Sequence, residues 1–218
     1  MDKTMTPSIR VVAEPRARRT QARTELARAS MISAATPMFS ENGFAATSVR
    51  DIEIAADVKR GMLVYHFGDK DTFWKAVADS VFERIASQRK LRVSILPDMS
   101  TREGLAMIIR FHVRIFAKYP ELSRLMAQEA RQKSWRIEYL VTQHIKPSSI
   151  DLEKYVSKAL NLTPRQFAHW YYIMVSGCAT IFSFEPECEL LFGFDCRHEK
   201  VVETHADMLV RMLLGRAA

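Results

Sequence analysis

The 218-residue chain has little of what β-rich, secreted or membrane proteins need. Its 7 glycines and 8 prolines are too few for an all-β protein with many tight turns. Its 3 cysteines are odd in number, so we expect free thiols in a reducing compartment. The first residues lack the apolar run of a secretory signal, and no apolar stretch is long enough to span a bilayer. These shortages predict a cytoplasmic, helical protein with no membrane partner.

The sequence also lacks the patterns that carry catalysis or metal binding. It has no glycine-rich phosphate loop, no nucleophile elbow and no carboxylate pair at a spacing typical of acid–base catalysis. Its histidines form no His-x-x-x-His pair, and Cys196 and His198 stand too close for a familiar zinc site. We therefore predict no enzyme activity, no metal site and no cofactor. A redox switch between Cys188 and Cys196 is the weaker alternative to inert, buried thiols.

What the chain does have is apolar residues, positive charge and helical periodicity. The 48% of hydrophobic residues can bury a sizeable core, and a net charge of +7 favours a polyanionic partner. Residues 1–24 carry six basic and two acidic side chains without an apolar pattern. We expect a flexible basic arm there, which either enters a minor groove of DNA or is only a solubilising tail.

Helical spacing of apolar residues begins near Leu26 and continues almost to the end of the chain. The pattern predicts an all-α fold with a small helical head at 25–85 and a larger helical body at 86–218. A third head helix is expected at about 59–66, and a long fourth helix opens after Asp69. The body helices are expected at 101–118, 120–133, 135–146, 148–161, 164–184 and 198–214.

Residues 47–66 have the parts of a helix-turn-helix, in which a first helix braces a second one against the major groove of DNA. The first helix starts at hydroxyl residues, where unpaired N–H groups favour a phosphate, and the second opens with two cations. Tyr65 is expected to pack its ring in the head and to offer only its hydroxyl. The candidate DNA contacts are Thr47, Ser48, Arg50, Lys59, Arg60, Gly61, Met62, Tyr65, His66 and Lys70.

These candidates divide by the group that they would contact. Basic residues on an arbitrary helix are usually a solvated surface, but inside this motif we interpret them as DNA contacts. Phosphate contacts are predicted for Thr47, Ser48, Tyr65, His66 and Lys70, and base contacts for Lys59, Arg60 and Met62.

Aromatic, glycine, hydroxyl and lysine residues recur at fixed intervals over about residues 28–80. They are Ile32, Ala35, Phe39, Gly43, Phe44, Thr47, Ser48, Val49, Asp51, Ile52, Leu63, Tyr65, Phe67 and Lys70. In this pattern the chain closely resembles the TetR family of bacterial transcriptional regulators. The resemblance implies a three-helix DNA-binding head, a fourth linking helix, and a C-terminal domain that binds a small ligand and dimerises, usually repressing transcription.

Two positions depart from this family pattern. Glu53 stands where family members usually carry a small residue, and Asp57 replaces a turn glycine. Aspartate tolerates the left-handed conformation better than most residues, so we expect Asp57 to be accepted in the turn. A carboxylate near the packed face must tilt outward or find a partner, for which Arg50 and Lys59 are the candidates.

The resemblance implies that the body holds both the ligand site and the dimer contact. It places the ligand among the helices of 101–184 and dimerisation on 164–184 and 198–214. Small residues such as Gly177 and Ala179 would let a partner helix pack closely. The candidate ligand contacts are His112, Phe116, Glu129, Tyr139, His169 and Trp170, each of which is also explained as a residue satisfied within the protein.

The leading hypothesis is a homodimeric, ligand-responsive regulator, in which a small and largely apolar effector releases a pseudo-palindromic operator. We expect it to act as a repressor. The alternative is a helical small-molecule-binding protein with a degenerate head, for which Glu53 is the only support in the sequence. The partners expected are double-stranded operator DNA, a small-molecule effector and a second copy of the chain.

Overall fold

The computed structural model describes residues 16–94 and 96–215, and this part of the chain is all-α, as predicted. It contains a short 3-10 turn at Leu96–Asp98 and a π-helical turn at Val141–Ile145, with no strand among the residues described. The α-helices are α1 (Arg16–Ala46), α2 (Val49–Ala55), α3 (Met62–Phe67), α4 (Lys70–Val93), α5 (Thr101–Lys118), α6 (Pro120–Glu129), α7 (Trp135–Leu140), α8 (Lys146–Leu160), α9 (Pro164–Ser183), α10 (Glu185–Phe192) and α11 (Glu199–Leu214).

Capping residues explain why several helices begin where the sequence predicts. Ser48 accepts a hydrogen bond from the N–H of Asp51 at 3.0 Å and so caps α2. Ser100 and Glu103 form a full capping box before α5, in which each side chain accepts from the backbone of the other residue. As a result α5 occupies the range predicted for it.

The start of α1 differs from the prediction. The helix begins at Arg16 rather than near Leu26, so residues 16–24 of the expected arm are helical. This segment is rich in arginine and contains two alanines, residues that favour a helix without any apolar stripe, and periodicity therefore misses it. The rest of the expected arm, residues 1–15, lies outside the residues described.

Two short helices also differ from the prediction. α3 begins at Met62 rather than at about Lys59, because Gly61 takes a left-handed conformation (φ 87°) that a helix cannot contain. α10 has no counterpart among the predicted helices, since its apolar residues show no helical stripe that faces a core. It ends at Gly193, which is left-handed with a φ of 71°.

The head is built by α1, α2, α3 and the first half of α4 around one apolar core. Its centre is Phe39 of α1, Ile52 of α2, Leu63 of α3 and Trp74 of α4, each with an exposed fraction of 1% or less. Helices as short as α2 and α3 are unstable alone, so this shared burial is what holds them. The same core continues into the body through side chains of α6 and α7, which makes head and body one packed unit.

The body is organised around α5, which packs against α9 on one side and α11 on the other. Ile109 of α5, Met174 of α9 and Ala206 of α11 are all fully buried in the body core. At the edge of this contact Arg114 pairs with Glu203 at 2.7 Å, an exposed ion pair that contributes little to stability. Among the described helices, none has the length and apolarity that a bilayer crossing requires.

Candidate nucleic-acid interface and ligand cavity

The helices α2 and α3 meet at a tight turn centred on Asp57. Asp57 is left-handed (φ 53°), and its N–H donates to the carbonyl of Ile54 at 3.1 Å. The N–H of Val58 follows and donates to the carbonyl of Glu53 at 3.0 Å. The prediction that aspartate is accepted at this turn position is confirmed, because few other non-glycine residues adopt such a conformation readily.

Glu53 lies inside the head, with 4% of its surface exposed. Its Oε1 accepts a hydrogen bond from the backbone N–H of Leu63 at 2.9 Å. Glu53 therefore finds a partner, as one of the two expected outcomes required, but this partner is a backbone N–H and not the side chain of Arg50 or Lys59, and the carboxylate does not tilt outward. The first turn of a helix leaves N–H groups without partners, and the carboxylate satisfies one of them at the positive end of α3.

The other end of α3 is held by Arg28 of α1. Its Nη1 donates to the carbonyl of His66 at 2.7 Å, and its guanidinium carbon lies 4.2 Å from the centre of the Phe67 ring. A cation suits the negative C-terminal end of a helix as an anion suits the other end. We call Glu53 and Arg28 the α3 clamp. Neither is a predicted contact, because only the tertiary placement of α3 reveals what they touch.

The outer side of the helix-turn-helix carries several of the predicted DNA contacts. Ser48 and Arg50, at the start of α2, are exposed, and so are Lys59 and Arg60. The last two lie in the turn that precedes α3 and not on the helix itself. Tyr65 is 78% exposed, so its ring does not pack in the head as expected and the whole side chain is available to a partner.

Gly61 and Met62 stand at the start of α3. Gly61 is exposed, and a Cβ added there would meet no atom within 4 Å, so the glycine is required by its backbone conformation and leaves open space for a close approach. Met62 is half-buried and packs against the head core, which leaves only part of its side chain for a base.

Thr47 does not offer its hydroxyl to a phosphate, contrary to the prediction. The residue is 2% exposed, and its Oγ1 lies 2.8 Å from the carbonyl oxygen of Gly43 and 3.1 Å from that of Met38. Gly43 is left-handed (φ 76°) and interrupts α1, so carbonyls near the break lack their usual helical partners. The threonine hydroxyl supplies a donor to them.

His66 and Lys70 also turn toward the protein more than the prediction allows. The Nε2 of His66 is buried and has no hydrogen-bond partner within the described part of the chain, so it does not reach a phosphate from this position. The Nζ of Lys70 donates to the carbonyl of Phe44 at 2.5 Å and lies 4.3 Å from the centre of its ring. Burial lowers the pKa of Lys70, and its main contact fastens α4 to the end of α1.

A cavity of about 110 Å³ lies in the body, between α5, α8, α9 and the distal part of α4. Its wall is mainly apolar, and of the six predicted ligand contacts it includes His112. The Nδ1 of His112 lies 2.8 Å from the carbonyl oxygen of Ile108, one turn earlier on α5. Burial, and to a smaller degree the charge of Arg89, lower the pKa of His112, so the ring is neutral at pH 7.

Four other predicted ligand contacts lie away from this cavity. Phe116 is part of the body core. Glu129 is 4% exposed and accepts a charge-assisted hydrogen bond from Arg136 at 2.7 Å. On α9, His169 is exposed and Trp170 is buried, with an indole Nε1 that has no partner among the residues described. Periodicity alone does not separate such packing roles from ligand contact, because all these side chains lie on the same kinds of helix.

Tyr139, the sixth candidate, belongs to a polar junction with α4. Its hydroxyl donates to Oδ1 of Asp79 at 2.8 Å, and the Nε2 of His144 lies 2.8 Å from the same oxygen. The ring of His144 stacks on that of Phe82 with 4.6 Å between centres. Burial, followed by the hydrogen bond to Asp79, raises the pKa of Tyr139 to about 12. We call Asp79, Tyr139 and His144 the α4 junction, because it ties α7 and the π-helical turn to α4.

The three cysteines are buried and free, as predicted. Burial raises the pKa of Cys178 to about 12 and that of Cys196 to about 11, so both remain protonated at neutral pH and react slowly. Cys196 stands near Glu185 and Asp195, with possible ligand atoms within 4.8 Å of one another. Glu185 already pairs with Arg197 at 2.9 Å, which accounts for this acidic group without a metal ion.

Comparison with known proteins agrees with this geometry. Residues 31–77 match the family model described as "Bacterial regulatory proteins, tetR family". An HTH-type transcriptional repressor of Mycobacterium tuberculosis is 47% identical over 51 residues, which are 23% of this chain and 27% of the repressor. The matched segment thus spans about a quarter of the length of this curated relative.

Solved structures resemble the chain over most of its length. The fatty acid degradation regulator FadR from Bacillus halodurans has a TM-score of 0.63 at 16% identity, covering 84% of this chain and 94% of that one. FadR from Bacillus subtilis, solved in complex with stearoyl-CoA, has a TM-score of 0.59 at 16% identity, covering 87% and 99%. At such identities the likeness is one of fold. The match to the tetR family of bacterial regulatory proteins lies in the N-terminal head, at residues 31–77.

Proposed function

We propose that the protein is a DNA-binding transcriptional regulator, which represses by occupying a pseudo-palindromic operator. The observation that carries the proposal is the α3 clamp beneath an exposed face. Glu53 and Arg28 fix the two ends of α3 from inside the head. Lys59, Arg60 and Tyr65 stay exposed. A recognition element needs this division of labour, because a side chain that positions the helix cannot also reach a base edge.

The proposed contacts follow from exposure and chemistry. Lys59 and Arg60 precede the N-terminal end of α3, the end that enters the major groove in helix-turn-helix proteins, so we assign them to bases. Ser48 and Arg50 at the start of α2, and Tyr65 in the second half of α3, carry exposed donors and are assigned to phosphates. Thr47 and His66 are no longer proposed as side-chain contacts with DNA.

Dimerisation is proposed through α9 and α11, as the family resemblance implies. Exposed apolar side chains support this choice: Tyr172 and Ile173 on α9 are 70% and 61% exposed, and Met208 and Met212 on α11 are 50% and 73% exposed. Gly177 does not serve the partner as expected, because a Cβ there would lie 2.9 Å from Leu209 of the same chain. Two heads about 34–36 Å apart would then meet successive major grooves.

The effector is proposed to bind in the body cavity and to act on the head through α4. Ser148, which lines the cavity, donates from its hydroxyl to the carbonyl of His144, 2.9 Å away. His144 in turn reaches Asp79 of α4 through the α4 junction. An effector that displaces α8 therefore moves a group bonded to α4, and its effect is limited by its differential affinity for the two arrangements.

The size of the cavity separates this effector from the ligand of one structural neighbour. FadR from Bacillus subtilis holds stearoyl-CoA, whereas about 110 Å³ accommodates only a small molecule. We therefore propose a small and largely apolar effector.

A selected operator tests the DNA-binding proposal. Duplexes are enriched from a random pool with the full chain, and the selected duplex is compared with a scrambled one in mobility shifts. We expect the double variant Lys59→Ala, Arg60→Ala to lose about 30-fold or more of its preference for the selected duplex, since each of the two base contacts gives about 1–3 kcal/mol of discrimination.

The matched control is the double variant Lys154→Ala, Lys158→Ala, which removes the same charge from exposed positions on α8. It is expected to keep the preference. If the head variant keeps its preference for the selected duplex, or if the control loses it equally, the assignment of Lys59 and Arg60 to base contacts is contradicted.

The alternative of a binding protein with a degenerate head now has less support. Glu53 was the feature that favoured it, and Glu53 has a positioning contact with α3 in the head. If the wild type bound random and selected duplexes equally, the binding protein with a degenerate head would become the favoured interpretation.

A further inference from the structure

We propose that the effector is a neutral, single-ring molecule with a hydroxyl group, of the phenol class. The inference rests on the proposed function, in that it takes the body cavity as the effector site. It is carried by the volume of the cavity and by three polar atoms of residues that line it: Nε2 of His112 and the hydroxyls of Tyr155 and Tyr171, which have no hydrogen-bond partner in the described part of the protein.

The volume limits the ligand to about one ring. The cavity measures about 110 Å³. An engineered cavity of about 150 Å³ in another protein stays dry and binds benzene, so a space of this size is filled by a six-membered ring with few substituents. Leu96, Phe111 and Leu152 contribute apolar wall, which favours a ring over a polar chain.

His112 supplies a hydrogen-bond acceptor inside this apolar space. A carbonyl oxygen only accepts, so the contact of 2.8 Å between Nδ1 and the carbonyl of Ile108 requires the proton to be on Nδ1. In a neutral ring the other nitrogen, Nε2, then carries a lone pair. No described group bonds to Nε2, and the ring lines the cavity. The site therefore favours a ligand that donates a hydrogen bond to Nε2 of His112.

Two tyrosine hydroxyls supply donors. Tyr155 of α8 and Tyr171 of α9 line the cavity, and neither hydroxyl has a hydrogen-bond partner among the residues described. The Tyr155 hydroxyl is seated against Gly104 of α5, where a Cβ would lie 2.0 Å from its oxygen. A ligand hydroxyl matches this set, because it donates to Nε2 of His112 and accepts from a tyrosine.

The charged lining residues that the structure describes do not select an ionic ligand. They are Arg89 and Asp151, and their formal charges cancel. The lone pair on Nε2 of His112 repels a carboxylate but accepts from a hydroxyl. A neutral ring with one hydroxyl therefore satisfies more of the hydrogen-bonding groups of the wall than benzoate does, although the two ligands are of similar size.

The test measures binding of phenol, toluene and benzoate to the full chain by calorimetry at pH 7.5. Phenol and toluene are matched in size, so their ratio of dissociation constants reports the hydroxyl contacts. We expect phenol to bind about tenfold more tightly than toluene, as one or two net hydrogen bonds supply. Benzoate is expected to bind more weakly than phenol.

Variants separate the hydroxyl contacts from general packing. His112→Phe is expected to reduce the phenol-to-toluene preference to near unity, whereas His112→Gln, which keeps an acceptor, retains part of it. The double variant Tyr155→Phe, Tyr171→Phe reduces the preference as well. The matched control is Tyr119→Phe, which removes a hydroxyl from outside the cavity and is expected to change nothing. Thermal unfolding of each variant checks that the fold is intact.

Three results overturn the ligand class: equal binding of phenol and toluene by the wild type, tighter binding of benzoate, or no binding of any of the three. Operator binding is measured on the same samples. If phenol binds as expected and operator affinity stays constant, the ligand class stands and the proposed regulation fails. If the protein binds its operator but none of the three ring compounds, the ligand class fails and the DNA-binding proposal stands.

Discussion

Replacing Glu53 by alanine removes one half of the α3 clamp and is expected to weaken the head. The carboxylate is 4% exposed and accepts from the N–H of Leu63, whose side chain is fully buried. Without it, a donor near the start of α3 has no partner in a region that water reaches poorly. The resemblance noted in the sequence implies a small residue at this position, so the sign of the change is an informative test.

The magnitude follows from two opposing effects. Loss of a helix N-terminal acceptor costs about 0.5–2 kcal/mol, and an unsatisfied buried donor costs about 1–3 kcal/mol. Removing a buried carboxylate offsets part of this cost, because its desolvation is no longer required. We expect Glu53→Ala to lower the free energy of unfolding by about 1–2 kcal/mol, which corresponds to a Tm lower by about 2–8 °C in a chain of this size.

Urea unfolding, followed by fluorescence, measures this change. Trp74 and Trp135 form an edge-to-face pair in the head core, with 5.4 Å between ring centres, and report its loss directly. Glu53→Gln keeps an acceptor oxygen and is expected to lose less than the alanine variant. Glu25→Ala, at an exposed position of α1, is the control for the loss of a carboxylate.

Operator binding gives a second readout of the same variant. If Glu53 positions α3, preference for the selected operator falls even at temperatures where the head is folded. A Glu53→Ala protein as stable as the wild type, with its operator preference intact, would refute the clamp as the reason that α3 keeps its place.

Three further outcomes are expected. Gly104→Ala displaces the Tyr155 hydroxyl, because the new Cβ would lie 2.0 Å from it, and calorimetry should then show weaker binding of phenol. Arg136→Met leaves the buried Glu129 carboxylate without its cation and should cost about 3–5 kcal/mol in urea unfolding; Lys133→Met, at a neighbouring exposed site, should cost far less. The pKa of His112 is lowered from its ordinary 6.5, so its stability contribution is complete above pH 6.5 and is lost as pH falls through the lower folded value. Urea unfolding between pH 5 and 7.5 should show this loss in the wild type and less of it in His112→Gln.

The parts of the fold that local chemistry decides were predictable from the sequence. The capping box of Ser100 and Glu103 marks the start of α5, and Ser48 marks that of α2. Asp57 reveals the turn, because its side chain tolerates a left-handed backbone. Such signals act within a few residues and therefore survive without any knowledge of tertiary structure.

Roles that depend on the packing of distant segments were not predictable in this way. The hydroxyl of Thr47 has the chemistry of a phosphate contact, and only the break in α1 at Gly43 turns it inward. Glu53 finds its partner ten residues along the chain, across a turn whose geometry periodicity does not describe. His112 and Tyr139 look alike as polar residues on apolar helices, yet one lines the cavity and the other joins α4.

The α3 clamp bears on how operators and regulators change together. Because Glu53 and Arg28 grip backbone atoms at the two ends of α3, the hold does not depend on which side chains the outer face carries. If Lys59 and Arg60 contact bases as proposed, substitutions at these two exposed positions would alter the DNA sequence that is read at little cost to folding. Laboratory selection on positions 59 and 60 would then be a direct route to altered specificity.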